Sequence, residues 1–224
     1  MGVPLSSDQL DLFERYATLL REGKRELSLT ALIDPIDVAV KHFLDSLSVL
    51  TVLPPAAACA IDVGTGAGFP GVPLKIARPE LDVTLLEATT KKADWVQRTA
   101  ERLGLHGVAV LAARAEDVAR DPAHRCRYDL AVARAVAPLP VLCELCLPFL
   151  RPGGVFVAQK SATGAAVEGP RAERALAMLG ARLRGIRPAG LPHLPNRVLV
   201  VIEQQTPVPD AYPRRAGMPA KRPL

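Results

Sequence analysis

Apolar runs at 59–63, 82–86, 108–112, 129–133 and 154–158 alternate along the chain with helical patterns at about 71–78, 91–103 and 138–150, and a shorter one near 116–120. Short, predominantly apolar runs of this kind read as strands buried on both faces. Their alternation with helices predicts right-handed crossovers joining a mostly parallel sheet with helices on both sides, an α/β fold of the Rossmann-like kind. Arg151-Pro152-Gly153-Gly154 breaks the pattern before the fifth run. A helix over 165–179 and a late strand at 197–203 complete the sheet, with one antiparallel pairing expected at its edge. No internal repeat is visible.

Outside this core the pattern changes twice. Near the start, Ser6 and Gln9 are spaced as a capping box, and Leu10, Phe13, Tyr16 or Ala17, and Leu20 follow at helical intervals. After Ser28-Leu29-Thr30, Asp34-Pro35 offers an N-cap and a first-turn proline. Ile36, Val40, Phe43, Leu47 and Leu50 then mark a second amphipathic helix, which Leu53-Pro54-Pro55 stops. His42, Asp45 and Ser46 share one face of it, expected to pack as a polar face on the main domain. From Thr206 onward the chain is proline-rich and carries Arg214, Arg215, Lys221 and Arg222 against one acid, Asp210, which reads as an extended basic arm. The organisation expected is therefore a helical extension (1–54), an α/β core (55–205) and a basic arm (206–224).

Composition narrows the classes. Hydrophobic residues make up 49% of the 224, enough for a sizeable core, and the 28 Lys and Arg against 23 Asp and Glu leave +5, which permits an anionic partner without requiring one. Apolar runs stay well short of the roughly 20 residues of a membrane span, and the N-terminus lacks a basic region followed by an apolar core. A cytoplasmic protein away from membranes is expected. Met1-Gly2 with Ser6 nominally fits a myristoylation pattern, which is too short to outweigh this. Cys143 and Cys146 lie one turn apart in an apolar helix with no second pair at zinc-site spacing, so they read as small core residues and no metal is expected.

Candidate chemistry concentrates at 60–71, Ala-Ile-Asp-Val-Gly-Thr-Gly-Ala-Gly-Phe-Pro-Gly. A buried strand ending at Val63 runs into three alternate glycines, Gly64, Gly66 and Gly68, a backbone that can turn sharply and approach a ligand with no Cβ in the way. Asp62 precedes the first glycine, and Glu87 ends the next apolar run. Neighbouring strand ends in an open α/β sheet meet in one crevice, so both carboxylates and the loop are expected to face a common ligand, with Glu87 suited to the hydroxyls of a ribose. The dinucleotide fingerprint wants a wider third glycine, and Pro70 and Pro73 remove donors that a pyrophosphate would use. The Asp-x-Gly-x-Gly-x-Gly pattern instead resembles the first motif of class I methyltransferases, which bind S-adenosylmethionine.

The remaining strand ends discriminate among methyl acceptors. After the fourth strand, Ala133-Arg134-Ala135-Val136 lacks the Asp or Asn followed by prolines that amino-group methyltransferases use, and no cysteine stands at a strand end to serve as the thiolate that cytosine carbon-5 chemistry needs. A ring nitrogen such as guanine N7 carries a lone pair and needs only alignment, with Arg134 and Lys160 placed to hold guanine O6 or a phosphate.

Leu29-Thr30-Ala31, Lys41-His42-Phe43-Leu44-Asp45-Ser46-Leu47, the glycine loop, Arg134-Ala135 and the closing Tyr212-Pro213-Arg214-Arg215-Ala216-Gly217 together resemble the ribosomal RNA small subunit methyltransferase G family, also called glucose-inhibited division protein B, over nearly the whole chain. The resemblance implies methyl transfer from S-adenosylmethionine to N7 of a guanosine in the decoding-region loop of 16S ribosomal RNA, free or in an assembling small subunit, by a monomer. Cofactor contacts carry over to Gly64, Phe69, Glu87, Ala88, Thr89, Ala115, Glu116 and Arg134, in addition to Asp62, Gly66 and Gly68 of the loop. Arg134, Lys160 and His42 are the candidates for the chemical step, His42 as a residue that positions RNA rather than as a base. Lys160, Arg214 and Arg215 are the candidate RNA contacts. Ser28, Glu87 and Ser161 depart from the usual Asn, Asp and Gly. The rivals are a nucleotide-dependent oxidoreductase on the same fold and an RNA-binding module whose cofactor site has lapsed.

Overall fold

A computed structural model describes residues 3–27, 34–54 and 56–224. The Leu29-Thr30-Ala31 segment, the Ser28 departure, Pro55 and Met1-Gly2 lie outside the described residues. The core strands are β1 (Cys59–Val63), β2 (Asp82–Glu87), β3 (Val108–Ala112), β4 (Tyr128–Arg134), β5 (Leu150–Ser161), β6 (Ala181–Pro188) and β7 (Arg197–Gln204). They form one sheet in the order β3-β2-β1-β4-β5-β7-β6. The pairings from β3 through β5 are parallel, while β7 is antiparallel to both β5 and β6. The order reverses between β1 and β4, where an open α/β sheet leaves a crevice beyond its strand ends.

Each helix follows from its sequence. In α1 (Ser7–Leu27) the Ser6 N–H donates to Gln9 Oε1 at 2.8 Å and the Gln9 N–H donates to Ser6 Oγ at 3.2 Å, the reciprocal capping box. Around the sheet lie α4 (Gly71–Ala77), α5 (Thr90–Leu103), α6 (Ala115–Val118), α7 (Leu139–Cys146) and α8 (Ala162–Leu179). Ser161 is the N-cap of α8, its Oγ accepting from Gly164 N–H at 3.1 Å, which gives the serine that departs from the family pattern a defined local task. Cys143 and Cys146 are buried core residues, the Cys143 thiol pushed up to about 12 by desolvation.

Three expectations need correction. The second helix is not one regular α-helix: α2 (Pro35–Asp37), capped by Asp34, passes into a π-helical stretch, Val38–Leu44, before α3 (Asp45–Leu47) and a short 3-10 turn, Ser48–Thr51. The wider π turn rotates the apolar stripe, so Val38 is buried while Ile36 is 73% exposed. Leu10 of α1 likewise faces outward. At the far edge, β6 stands where the sequence reading had no strand, so the antiparallel part is two pairings rather than one. And β5 starts at Leu150, with the Pro-Gly-Gly break absorbed as a register shift opposite Tyr128 and Leu130.

The core has two layers, one on each face of the sheet. On one side Phe13, Tyr16, Leu20, Phe43 and Leu47 of the helical extension join α4 and α5, and on the other α7 and α8 pack with Phe149 and Ile202. The N-terminal helices are thus part of the core. No described helix is long and apolar enough to cross a membrane.

Candidate active site

The glycine loop is pinned before it is shaped. Gly64 and Thr65 N–H groups both donate to Leu86 O at the end of β2, at 2.8 and 3.0 Å. The chain then passes through Gly66 at φ 60°, and a Cβ built there meets nothing within 4 Å. Bare backbone in the left-handed region therefore faces open space. Gly68 serves differently, since a Cβ there would lie 2.7 Å from Tyr16 Oη and from Val72, so its missing side chain lets α1 approach the loop.

Asp62 and Glu87 do not share one role. Asp62 is wholly buried beneath the loop, its Oδ2 accepting from Thr65 Oγ1 at 2.6 Å and from Gly71 N–H at 2.8 Å, while Oδ1 has no hydrogen-bond partner. Burial pushes its carboxyl up to about 6, against the donors Thr65 and Gly71. Asp62 holds the loop to the start of α4. Glu87 lies across the loop mouth, Oε2 accepting from Gly66 N–H at 3.1 Å and Oε1 from Thr89 N–H at 2.8 Å. The longer glutamate spans both donors, and each oxygen keeps a further lone pair for a hydroxyl.

A cavity of about 100 Å³ opens beside Gly64, lined among others by Leu86, Ala88, Ala115, Glu116, Val136 and Leu145. Ala135, at φ 58°, turns the chain after β4 so that Val136 stands over Gly64. A Cβ on Gly64 would lie 2.7 Å from a Val136 methyl.

Arg134 ends β4 in a network that the sequence reading only partly found. Its Nη1 donates to Asp45 Oδ2 and to Lys41 O, both at 3.1 Å, its Nη2 lies 3.2 Å from His42 Nδ1, and its guanidinium stands 4.8 Å from the centre of the Phe69 ring. His42 stacks on the same phenyl ring at 4.5 Å. Asp45, wholly buried, is also approached by Arg197 Nε, 2.9 Å from Oδ1, a charge contact without hydrogen-bond alignment. Gln159 Nε2 donates to Asp45 O at 2.7 Å. The His42, Asp45 and Ser46 face thus meets the main domain at the crevice edge, where β4 and β5 end and β7 begins. Arg197 was missed because it opens its strand; only the antiparallel setting of β7 brings a strand's first residue to this edge. Desolvation and the adjoining Arg134 charge lower the His42 imidazole to about 4.

Lys160 and Arg214 are already engaged. Lys160 Nζ donates to Ala137 O at 2.7 Å and pairs with Glu168 at 2.8 Å, tying the turn after β4 to α8. Arg214 pairs with buried Glu144 of α7, while Arg215 is exposed. The expected extended arm is packed on the core and ends in α9 (Met218–Lys221), with Val208, Pro213 and Pro219 buried.

Residues 9–187 match the family described as rRNA small subunit methyltransferase G. Ribosomal RNA small subunit methyltransferase G of Rubrobacter xylanophilus is 49% identical over 230 residues, covering 100% of this chain and 87% of that relative. The Acetivibrio thermocellus protein of the same name is 42% identical over 224 residues, covering 100% and 92%. Among solved structures, the O-methyltransferase TomG of Streptomyces achromogenes, determined with S-adenosylmethionine, superposes with a TM-score of 0.59 at 19% identity, covering 87% of this chain and 89% of that one. At that distance the likeness speaks for the fold, a class I methyltransferase core. The identity to the first two extends from end to end, and the chain belongs to the rRNA small subunit methyltransferase G family.

Proposed function

We propose that the chain transfers the methyl group of S-adenosylmethionine to N7 of a guanosine in 16S ribosomal RNA. The observation that carries this reading is the crevice itself, where an unobstructed glycine turn and Glu87 face the switch point and a largely shielded arginine, Arg134, closes β4. The residues fit the cofactor: Gly66 presents bare backbone to open space, and Glu87 can accept from hydroxyls. A dinucleotide fits less well, because Gly71 N–H at the start of α4 is committed to Asp62. Gly64, Gly66, Glu87, Ala88, Thr89, Ala115 and Glu116 hold the cofactor, with Asp62, Gly68 and Phe69 fixing the loop they stand on. When bound, it supplies an electrophilic methyl group on a sulfonium.

The chain's own contribution is alignment. Guanine N7 has a lone pair and no proton to lose, so the residues around it have to orient the base and exclude alternatives. A covalent route through cysteine is disfavoured by the burial of Cys143 and Cys146 in α7. Arg134 is fixed by Asp45, Lys41 O and Phe69 and so presents its charge at a defined place, while Lys160 shapes the turn at Ala137 that borders the target base. The acceptor is the RNA or the assembling small subunit, met in the cytoplasm by a single chain working without a metal. Mapping 7-methylguanosine in 16S RNA from cells with and without this gene tests the proposal. An unchanged map would overturn it.

Two expected outcomes follow from charge and pH. Arg215→Ala should flatten the salt dependence of RNA binding, removing about 0.7 from the logarithmic slope for one lost phosphate contact on a single strand, with cofactor affinity unmoved. A slope equal to the parent's would leave Arg215 merely solvated. With His42 at about 4, below its unperturbed 6.5, the imidazole is neutral at both pH 6 and pH 8, so the single-turnover rate under saturating RNA and cofactor should be flat across that range. A tenfold rise that disappears in His42→Ala would instead mark a base and a nucleophile that must shed a proton.

A further inference from the structure

The arm after β7 is held to the core by cations from the opposite side of the contact. Arg125 donates through Nη1 to Tyr212 O at 2.9 Å and through Nη2 to Val208 O at 2.7 Å, and Arg120 Nη2 donates to Pro213 O at 2.6 Å. Its deepest anchor is Glu144, wholly buried in α7. That carboxylate accepts from the Arg214 N–H at 2.7 Å and, on Oε1 and Oε2, from Nε at 2.9 and 3.1 Å, with Nη2 on Oε2 at 2.6 Å. A planar guanidinium gripping both oxygens fixes direction as well as charge. Arg214 Nη2 also donates to Arg222 O at 2.7 Å, closing the arm on itself.

Three residues on, Gly217 at φ 81° turns its N–H onto Glu116 Oε1 at 2.8 Å. Glu116 belongs to the four-residue α6, is buried, and lines the cavity beside Gly64. Leu145, adjacent to Glu144, lines the same cavity from α7. One stretch, 214–217, therefore grips two walls of one pocket.

We propose that the C-terminal arm is a built wall of the cofactor site, with Arg214 and Gly217 as positioning residues that hold Glu116 and α7 at the adenine end of S-adenosylmethionine. This rests on the proposed cofactor role of Ala115-Glu116, which follow the third strand, the strand end at which class I methyltransferases commonly meet the adenine. The arm is then two-sided: Arg214 faces inward to Glu144, next to the pocket-lining Leu145, and Arg215 faces outward to RNA.

Calorimetry of the full chain with S-adenosylhomocysteine tests it. Arg214→Ala should raise the dissociation constant about tenfold, the scale of a lost charge-assisted contact, with Arg214→Lys between the two. In steady state KM for S-adenosylmethionine should rise while kcat at saturation and RNA affinity hold. Because Arg214→Ala strands a buried carboxylate and could unfold the chain, Gly217→Ala is the second variant: it strains the turn without touching the Glu144 pair, and should weaken the cofactor several-fold at little cost in Tm. Glu116→Ala separates the layers. If it binds as the parent does, the pocket assignment falls and the inference with it. If Glu116→Ala weakens binding while Arg214→Ala and Gly217→Ala match the parent, the arm only packs, and the inference alone is overturned.

Discussion

Gly66→Val is expected to abolish cofactor binding, raising the dissociation constant for S-adenosylmethionine by a factor on the order of 100 or more, in a chain that still unfolds cooperatively. Direction decides the effect. At φ 60° the Cβ would point into space where no protein atom lies within 4 Å, so a branched side chain there meets the ligand and nothing else. Neighbouring glycines would not separate the effects as cleanly. At Gly64 the new atom lies 2.7 Å from a Val136 methyl, and at Gly68 it lies 2.7 Å from Tyr16 Oη, whose hydroxyl donates to Ala67 O and joins α1 to the loop. The left-handed backbone costs valine about 1–2 kcal/mol locally, a loss the core can absorb. Calorimetry with the cofactor and thermal unfolding of the same preparation check both halves. Near-parental affinity would mean that the ligand does not approach the chain at Gly66.

The parallel part of the sheet was legible because its strands are buried on both faces and its helices carry apolar stripes, so periodicity alone separates them. β6 was not, for the same physical reason in reverse. Ala-Arg-Leu-Arg-Gly-Ile-Arg-Pro is an edge strand with most positions exposed, including Leu183 and Ile186, and Arg182 and Arg184 answer Glu203 on β7 rather than a buried face. The π-helical turn at Val38–Leu44 was equally hidden, since a stripe read at 3.6 residues per turn carries no sign of a wider turn.

Within the site, the sequence revealed which residues gather but not which of them face outward. The glycine loop, Glu87, Ala115-Glu116 and Arg134 do meet at the strand ends. The strand pattern points Asp62 at a ligand, whereas it supports the loop from beneath, because Thr65 and Gly71, three and nine residues on, supply donors that no strand pattern reveals. Arg214 and Arg215 are indistinguishable in composition, yet only one of them finds a buried carboxylate, Glu144, seventy residues earlier in the chain. Long-range charge pairing of this kind is set by the fold, not by local sequence.

Arg134→Ala should have the other large effect, and it should appear in stability, catalysis and the titration of a neighbour together. The guanidinium is mostly shielded from solvent and neutralises Asp45, which has no exposure at all. Removing one partner of a buried pair costs about 3–5 kcal/mol, and the remaining Arg197 contact at 2.9 Å places the loss toward the lower figure. Phe69 loses the cation above its ring, so the segment carrying Gly66 and Gly68 loosens, and methyl transfer should fall about 100-fold even at saturating substrates, the scale expected when reacting groups are misplaced rather than removed. The signature that distinguishes this network from general damage is His42. Its imidazole is held near 4 by burial first and by the Arg134 charge second. Removing the charge should move the value upward, toward 6.5, and desolvation should keep it from arriving there. Since the free imidazole of the unfolded chain binds its proton at higher pH than the folded one, His42 costs stability as pH falls from 6.5 toward 4, and in Arg134→Ala that acid-side loss should shrink. Urea unfolding at pH 5 and pH 7, with NMR titration of the His42 ring, measures both. Arg134→Lys should recover the charge and part of the stability without the guanidinium whose Nη1 engages Asp45 and Lys41 O while Nη2 reaches His42, leaving transfer slow. If Arg134→Ala is as stable as the parent and the His42 titration does not move, then Arg134 does not hold Asp45, His42 and Phe69 together at the end of β4.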